Sequence, residues 1–200
     1  MSVTDDRLVQ DALAGRQEAF EGLAQRHARS VFRLIDRLVQ DSGVTEELAQ
    51  ETFLKAFRRL DTFDPQRGFS AWLLRIAHNT AVDALRRRGP RMQSLDTAAQ
   101  FDRDAHVPVS TAPGPDRQTE QRLLMRDVAA ALAGLRPEHR LALGLRFQEG
   151  RSYAEIAFVM GVAEGTARSY VHRARRKLAD DMRTAGWADA TDRRHARITE

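Results

Sequence analysis

Apolar residues recur at helical spacing along most of the chain, and no stretch shows the sustained alternation that is typical of a β-strand. In the first half of the chain the pattern predicts helices over residues 5–13, 18–39, 46–60 and 69–87. In the second half it predicts helices over residues 117–135, 138–147, 153–160 and 163–178. The sequence therefore predicts an all-α protein.

The helical pattern stops between residues 89 and 116, a polar stretch that holds four of the six prolines. A stretch of about 28 residues is long for an ordered surface loop inside one compact domain, which is the alternative interpretation. We therefore predict two small helical domains joined by a flexible linker. The predicted N-terminal domain covers residues 4–90, and the linker covers residues 91–116. The predicted C-terminal domain covers residues 117–182, and a loose polar tail that contains Trp187 covers residues 183–200.

Two features of the N-terminal domain suggest partners. The helix over residues 46–60 leaves Gln50, Glu51 and Leu54 outside its apolar stripe, and an exposed leucine is either ordinary surface or a partner contact. The helix over residues 69–87 ends in the run "RRRGPR". Cations are favourable at a helix C-terminus, but four arginines within six residues exceed what the helix dipole requires, so contact with phosphates is the competing interpretation.

The C-terminal domain contains a pattern typical of a helix-turn-helix. Ser152 and Glu155 form the signature of a capping box, and Gly161 separates a short helix from a longer one. The longer helix has an apolar stripe at Ala167, Tyr170, Val171, Ala174 and Leu178. Its opposite face is polar and basic, which predicts a recognition helix that reads the major groove of DNA. That face carries Arg168, Ser169, His172, Arg173 and Arg176.

Composition argues against most other classes of function. The chain has no cysteine, and its six histidines show no metal-ligand spacing, so we predict no cofactor, no metal site and no enzyme activity. His27, His78 and His139 are expected at helix surfaces or boundaries. The N-terminus is polar and acidic, unlike a signal peptide. The longest apolar runs are eight residues, whereas roughly 20 are needed to span a bilayer, so we expect a cytoplasmic protein.

At this point two segments resemble a known family. "LAQETFLKAFRRLDTFDPQRGFSAWLLRIAHNTAVDALRRR" resembles the second conserved region of bacterial sigma factors, especially the small extracytoplasmic-function (ECF) type. "LAGLRPEHRLALGLRFQEGRSYAEIAFVMGVAEGTARSYVHRARRKL" resembles their fourth region. The segments occur in the order of the family, with a linker between them and no third domain. Ala163, Ala167 and Tyr170 depart from the usual residues of the fourth region, so the bases it reads need not be the usual ones.

The resemblance implies promoter-specific initiation of transcription, with RNA polymerase core (clamp helices and flap) and promoter DNA as partners and no small-molecule substrate. Many members are also held inactive by an anti-sigma factor, which is a further candidate partner. The residues that match polymerase-binding positions are Gln50, Glu51 and Leu54. Those that match the part recognising and melting the −10 element are Asp64, Arg67, Asn79, Thr80, Asp83, Arg86, Arg87 and Arg88. Those that match the −35 element are Thr166, Arg168, Ser169, His172, Arg173 and Arg176.

Three other functions fit parts of the pattern. A helix-turn-helix regulator would bind duplex DNA without joining polymerase, but the N-terminal domain lacks a receiver or ligand-pocket pattern. A nucleic-acid enzyme would need a catalytic set of residues that the sequence does not offer. An adaptor would bind only a partner helix, through the face of the helix over residues 46–60.

Overall fold

The computed structural model describes the backbone of residues 4–88 and 115–187, and the side chains of 4–87 and 121–187. Within those ranges the chain forms eight α-helices and two single-turn 3-10 segments, with no strand. The all-α prediction is confirmed, while most of the predicted linker lies outside the described residues. The helices are α1 (Asp5–Leu13), α2 (Gln17–Val39), α3 (Ser42–Arg58), α4 (Phe69–Arg88), α5 (Pro115–Ala133), α6 (Pro137–Phe147), α7 (Tyr153–Met160) and α8 (Glu164–Thr184).

Helix α2 is the centre of the N-terminal module and contacts α1, α3 and α4. Its residues Leu23, Val31, Leu34 and Ile35 are completely buried. The last three follow the spacing that places side chains on one face of a helix. Each such side chain contributes about 1.5–3 kcal/mol through its removal from water, so this stripe fixes where α3 and α4 lie.

The helix-turn-helix of the C-terminal module is confirmed. The Ser152 hydroxyl accepts from the Glu155 backbone N–H at 3.2 Å, and the Ser152 N–H donates to the Glu155 carboxylate at 2.8 Å. Gly161 ends α7 in the left-handed conformation, with φ at 65°, which costs little only for glycine. The buried Ala167, Val171 and Ala174 then seat α8 against the rest of the module.

Two predicted details of the C-terminal module are wrong. The helical spacing of Leu123, Leu124, Val128, Ala131 and Leu135 predicts that Leu123 lies in the apolar stripe of α5, but Leu123 is 42% exposed. Trp187 was expected in a loose tail, yet its indole Nε1–H donates to Asp127 at 3.0 Å. Helix α8 also continues to Thr184, two residues past the predicted domain end, so Trp187 comes back onto α5.

The two modules pack against each other. Helix α4 contacts α7, and α2 contacts α6. Residues of α6 and α7, such as Leu145 and Ile156, belong to the same buried cluster as Leu73 and Ala77 of α4. Arg140 lies within this contact with 8% exposure, and its guanidinium donates to the backbone carbonyls of Arg37 and Ala133 at 2.8 and 3.1 Å. Periodicity alone did not predict this contact.

Candidate nucleic-acid and partner surfaces

The outer side of α3 forms the first candidate surface, which we call the α3 face (Gln50, Glu51 and Leu54). Gln50 and Leu54 are exposed one turn apart, and Leu54 keeps 59% of its area in solvent. Exposed leucines are common, but this one lies beside a carboxylate and an amide that could orient a partner. The structure thus brings the three predicted polymerase-binding residues together on one side of the helix.

Glu51 on this face is held in place by an ion pair with Lys55. The Glu51 Oε1–Lys55 Nζ distance is 2.7 Å, and Lys55 Nζ also donates to the Thr80 hydroxyl at 3.3 Å. Thr80 is only 1% exposed, so its hydroxyl lies between α3 and α4. In this conformation Thr80 is therefore placed to support the α3 face, away from the other predicted −10 residues on the outside of α4.

The outer side of α4 forms the second surface, which we call the α4 face (Asn79, Asp83, Arg86 and Arg87). All four side chains are exposed, and their spacing places them along one side of the helix. The side chain of Arg88 lies outside the described residues. Amide, carboxylate and guanidinium groups in a row offer both hydrogen-bonding edges and positive charge, a combination that suits the bases and phosphates of DNA.

His78 adjoins the α4 face and contacts Asn79, with its Nδ1 3.5 Å from the Asn79 side-chain oxygen. Burial lowers the pKa of His78 below its ordinary value, although the hydrogen bond to Asn79 opposes the change. The ring is therefore largely neutral at pH 7. It offers Asn79 a polar neighbour without adding a charge to the face.

The loop before α4 carries Asp64 and Arg67. Asp64 caps a 3-10 turn by accepting from the Gln66 N–H at 3.0 Å, and it lies 3.4 Å from the Arg67 guanidinium. That guanidinium also lies over the ring of Phe158 on α7, 4.8 Å from the ring centre. Arg67, predicted to contact the −10 element, is thus engaged with the C-terminal module.

The outward side of α8 forms the third surface, which we call the α8 face (Arg168, Ser169, His172, Arg173 and Arg176). All five side chains are exposed, as predicted. Thr166, the sixth predicted residue, is half-buried in the first turn of the helix. Four basic or ionisable side chains on one exposed helix face match the electrostatic and geometric needs of a major-groove reader.

Part of the α8 face is fixed in place by neighbours that the sequence did not indicate. Arg168 donates to Glu164 at 3.2 Å and lies over the Tyr153 ring, 5.0 Å from its centre. Arg146 also lies over that ring, at 4.9 Å.

Tyr153 and Phe158 are the two aromatic residues of α7. The apolar positions Ile156, Ala157 and Met160 predict one buried side of this helix, and Tyr153 lies on that side and packs against the core. Phe158 lies on the opposite side, which was the available signal that it contacts other side chains.

His27 differs from its prediction as a surface or boundary residue. It is 8% exposed, its Nε2 lies 2.9 Å from an Asp5 carboxylate oxygen, and its ring packs against Phe69. Burial lowers the pKa of His27, and Asp5 opposes that change.

Within the described ranges, no three His, Asp or Glu side chains are grouped so that they could hold a metal ion. No described helix combines the length and apolar character needed to cross a membrane.

Family models match both modules. The Sigma-70 region 2 model matches residues 23–91, and the Sigma-70 region 4 model matches residues 125–178. The first match contains the α3 and α4 faces, and the second contains the α8 face. The predicted division into two domains agrees with the order of these matches, although its boundaries stay a prediction.

Among curated relatives, the chain is 40% identical over 163 residues to the ECF RNA polymerase sigma factor SigE of Mycolicibacterium smegmatis, covering 81% of this chain and 61% of that protein. It is 37% identical over 166 residues to the RNA polymerase sigma factor CarQ of Myxococcus xanthus, covering 83% of this chain and 90% of CarQ. The match to CarQ therefore extends over nearly the full length of that relative.

Solved structures show the same fold. CnrH in complex with the cytosolic domain of CnrY matches with a TM-score of 0.63 and 28% identity, over 90% of this chain and 97% of CnrH. The sigma factor RpoE of Bartonella quintana, in complex with the anti-sigma factor NepR, matches with a TM-score of 0.60 and 27% identity, over 82% of this chain and 96% of that chain.

Proposed function

The chain belongs to the sigma-70 family and is an RNA polymerase sigma factor of the ECF type that directs transcription initiation, and we propose that its three exposed faces divide the work of promoter recognition. The observation that carries the proposal is the separation of these faces onto α3, α4 and α8. Each has a different chemistry, and each lies within a matching sigma-70 region.

The α3 face is the proposed site for the clamp helices of RNA polymerase core. An exposed Leu54 gives apolar contact, and Glu51, held by Lys55, gives a directed carboxylate. Aliphatic anchors flanked by polar groups are suited to a partner helix, because the apolar part supplies affinity and the polar part fixes register. Thr80 would support this face through its hydrogen bond with Lys55.

The α4 face is the proposed site of −10 recognition. A base that leaves the stack is read by hydrogen bonds to its edge, which the Asn79 amide can make both as donor and as acceptor. Arg86 and Arg87 are suited to the backbone phosphates that hold the melted strand in register. Asp64 and Arg67, in the loop before α4, would join this face once Arg67 leaves Phe158.

The α8 face is the proposed reader of the −35 element as duplex. Arginine makes bidentate hydrogen bonds to guanine, and each good pair contributes about 1–3 kcal/mol of discrimination. The contacts of Arg168 with Glu164 and Tyr153 restrict its side chain in advance. Less side-chain freedom is then lost when it binds DNA.

Three further aspects belong to the proposal. The protein itself catalyses no bond chemistry, since synthesis belongs to the polymerase core. It works in the cytoplasm, where bacterial polymerase and promoter DNA are found. An anti-sigma factor is a further partner, a proposal supported by the likeness to RpoE, whose structure was solved with the anti-sigma factor NepR. A regulator that acts without polymerase is not favoured, because the N-terminal module matches the sigma-70 region 2 model.

The Asn79→Ala variant tests the division of work. Holoenzyme made with the variant should protect the −35 region as the wild type does, while permanganate reactivity of −10 thymines falls at least fivefold. Loss of one base contact, about 1–3 kcal/mol, corresponds to roughly 5- to 150-fold. Gln10→Ala, which removes an exposed amide from α1, should change neither signal. Unchanged melting in Asn79→Ala, or equal loss of −35 protection, would contradict the assignment.

A further inference from the structure

The ammonium of Lys55 lies between two of the candidate surfaces. It pairs with Glu51, one turn earlier on α3, at 2.7 Å, and it donates to the Thr80 hydroxyl of α4 at 3.3 Å. The chain has 32 lysines and arginines, of which only Lys55 and Lys177 are lysines. An ammonium carries three donors around one centre, so a single lysine can serve acceptors on two different helices. Lys55 therefore connects the α3 face with the helix that carries the α4 face.

An exposed ion pair on one helix is ordinary when it stands alone. The Glu51 and Lys55 side chains keep 35% and 39% of their areas in solvent. Pairs this exposed hold their side chains only weakly, because water screens the attraction and both side chains lose rotamer freedom. Lys177 is an example on α8, where it pairs with Asp181 four residues later. Lys55 differs because its ammonium also has an acceptor on another helix.

The second acceptor of Lys55 is buried. Thr80 is 1% exposed and lies in the core stripe of α4 with Ala77 and Ala81, while its neighbour Asn79 is exposed on the α4 face. A hydrogen bond with a charged donor is stronger than a neutral one, and exclusion of water strengthens it further. The Thr80 hydroxyl therefore anchors the Lys55 ammonium at a fixed point between the two helices.

Packing holds the backbone on both sides of this link. Helices α3 and α4 contact each other, and Leu48, Thr52 and Ala56 of α3 are buried. The Thr52 hydroxyl donates to the Leu48 carbonyl at 2.7 Å, so the bond of this buried threonine stays within its own helix. The two helices thus form a firm frame, and the Glu51–Lys55–Thr80 chain is a polar connection across it.

We propose that Lys55 is a positioning residue that couples the α3 face to the α4 face. Anchored on Thr80, its ammonium fixes the Glu51 carboxylate in the direction that the polymerase partner requires. Fixing one flexible side chain in advance corresponds to about 2- to 13-fold in affinity. Because coupling between two binding events is reciprocal, a strand that orders α4 beside Asn79 strengthens polymerase binding through the same link. The inference rests on the proposed function, which names the two partners.

The Thr80→Val variant tests the link from its buried end. Valine keeps the shape of threonine and removes the hydroxyl, and a residue that is 1% exposed does not contact a partner. The full chain with this change should bind core polymerase at least about twofold more weakly, read by competition against labelled wild-type protein. Thr80→Ser, which retains the hydroxyl, should recover most of that loss.

Thr52→Val is the matched control for this measurement. It makes the same change at a buried threonine of α3 whose hydroxyl does not bond Lys55. It should bind core polymerase within about 1.5-fold of wild type, and thermal unfolding of both variants checks that they are folded. Equal losses of affinity in Thr80→Val and Thr52→Val would overturn the inference, because the loss would then follow from weaker packing.

A double-mutant cycle separates the link from two independent effects. Lys55→Met, which keeps the aliphatic stem and removes the charge, should lose at least as much affinity as Thr80→Val. The double variant should bind within about 1.5-fold of Lys55→Met alone, because the link is already absent. A loss equal to the product of the two single losses would overturn the inference. Tighter binding by Lys55→Met would also overturn it, since Lys55 would then compete for the Glu51 carboxylate.

The reciprocal effect is measured with a single strand that carries the −10 element of a promoter mapped by run-off transcription. With saturating strand, the wild-type chain should gain affinity for core polymerase, and Lys55→Met should reduce that gain at least about twofold. Lys177→Met, which removes the other lysine of the chain, should leave the gain unchanged. An equal gain in the wild type and in Lys55→Met would overturn the coupling.

Glu51→Gln distinguishes failure of this inference from failure of the proposed function. It should weaken core binding at least as much as Thr80→Val does. If it leaves core affinity unchanged, the α3 face is not the polymerase site, and the proposed function and the inference both fail. If Glu51→Gln weakens core binding while Thr80→Val does not, the α3 face stands and only the link through Lys55 fails.

Discussion

The Glu51→Lys variant separates partner binding from folding, because the structure limits what the substitution costs the fold. The Glu51–Lys55 pair is 2.7 Å long, with 35% and 39% of the two side chains exposed. An ion pair this exposed contributes about 0.2–1 kcal/mol. Two lysines four residues apart on a helix repel by a further few tenths of a kcal/mol, about 0.2–0.5. The free energy of unfolding should therefore fall by no more than about 1.5 kcal/mol, out of a typical 5–15.

The effect on polymerase binding should be larger. Reversing the charge of a carboxylate that contacts a complementary group in a desolvated interface costs about 2–5 kcal/mol. We therefore expect at least a 30-fold weaker affinity for RNA polymerase core, since about 1.4 kcal/mol corresponds to a factor of ten. Competition against fluorescently labelled wild-type protein, read by anisotropy on titration with core polymerase, measures that ratio. Thermal unfolding of the same samples measures the stability term.

Glu18→Lys provides the matched control for this prediction. It makes the same substitution at an exposed position on α2, outside the α3 face. It should bind core polymerase within about threefold of wild type, a difference of about 0.7 kcal/mol. Equal affinities for Glu51→Lys and wild type would refute the role of the α3 face. Equal losses in both variants would show that net charge, and not this face, controls binding.

Two further predictions concern the α8 face and the effect of pH. Arg173→Ala should weaken selection of the −35 element by about 1–3 kcal/mol, measured on promoters with single base changes, and leave the affinity for core polymerase unchanged. The control Arg175→Ala, at the flank of α8, should leave base selection intact. Equal effects of the two substitutions would count against direct reading of bases by Arg173. Burial lowers the pKa of His27 from its ordinary 6.5. Below that pH the unfolded chain therefore binds a proton at His27 that the folded protein does not, so the free energy of unfolding should fall as the pH drops from 7 towards 5. His27→Gln should flatten the dependence of the unfolding free energy on pH, measured by urea titration, by up to about 1.4 kcal/mol per pH unit. An unchanged dependence in this variant would refute the role of His27.

Elements defined by local interactions were predictable from the sequence. The boundaries of α7 match the prediction because its start is fixed by Ser152 and Glu155 and its end by Gly161. The start of α3 was placed four residues late, at residue 46. The helix actually begins at Ser42, where Asp41 caps it by accepting from the Val44 N–H at 3.0 Å. A cap that precedes the apolar stripe gives no periodic signal, so periodicity underestimates the length of such a helix.

The contact between modules could not be predicted in the same way. Periodicity shows which side of a helix is buried, but not which element covers it. The pair between Arg33 and Glu149 joins residues more than 100 positions apart, and no spacing in the sequence relates the two. The sequence did carry one indirect signal, because a glycine inside an apolar helix such as α6 is unfavourable unless something packs closely against it. Gly144 is such a residue, and Arg37 is what packs there.

The candidate surfaces were predicted more completely than their surroundings. Removing the apolar stripe of α8 left the five residues that are exposed in the structure. The same argument could not place Thr80, which is both on the core side of α4 and bonded to Lys55. Nor could it place Arg67, whose position over Phe158 exists only because the modules pack together. Residues at the boundary between a stripe and a face depend on tertiary contacts, which one-dimensional patterns do not contain.

Run-off transcription is the most direct test of the central claim, that this protein gives RNA polymerase core its promoter specificity. Purified core polymerase, which lacks specific initiation by itself, is combined with the full chain and a pool of genomic templates, and transcript 5′ ends are mapped. The account predicts discrete start sites that require both components and share sequence elements near −35 and −10. The absence of discrete starts on every template, despite folded protein and active core, would contradict it.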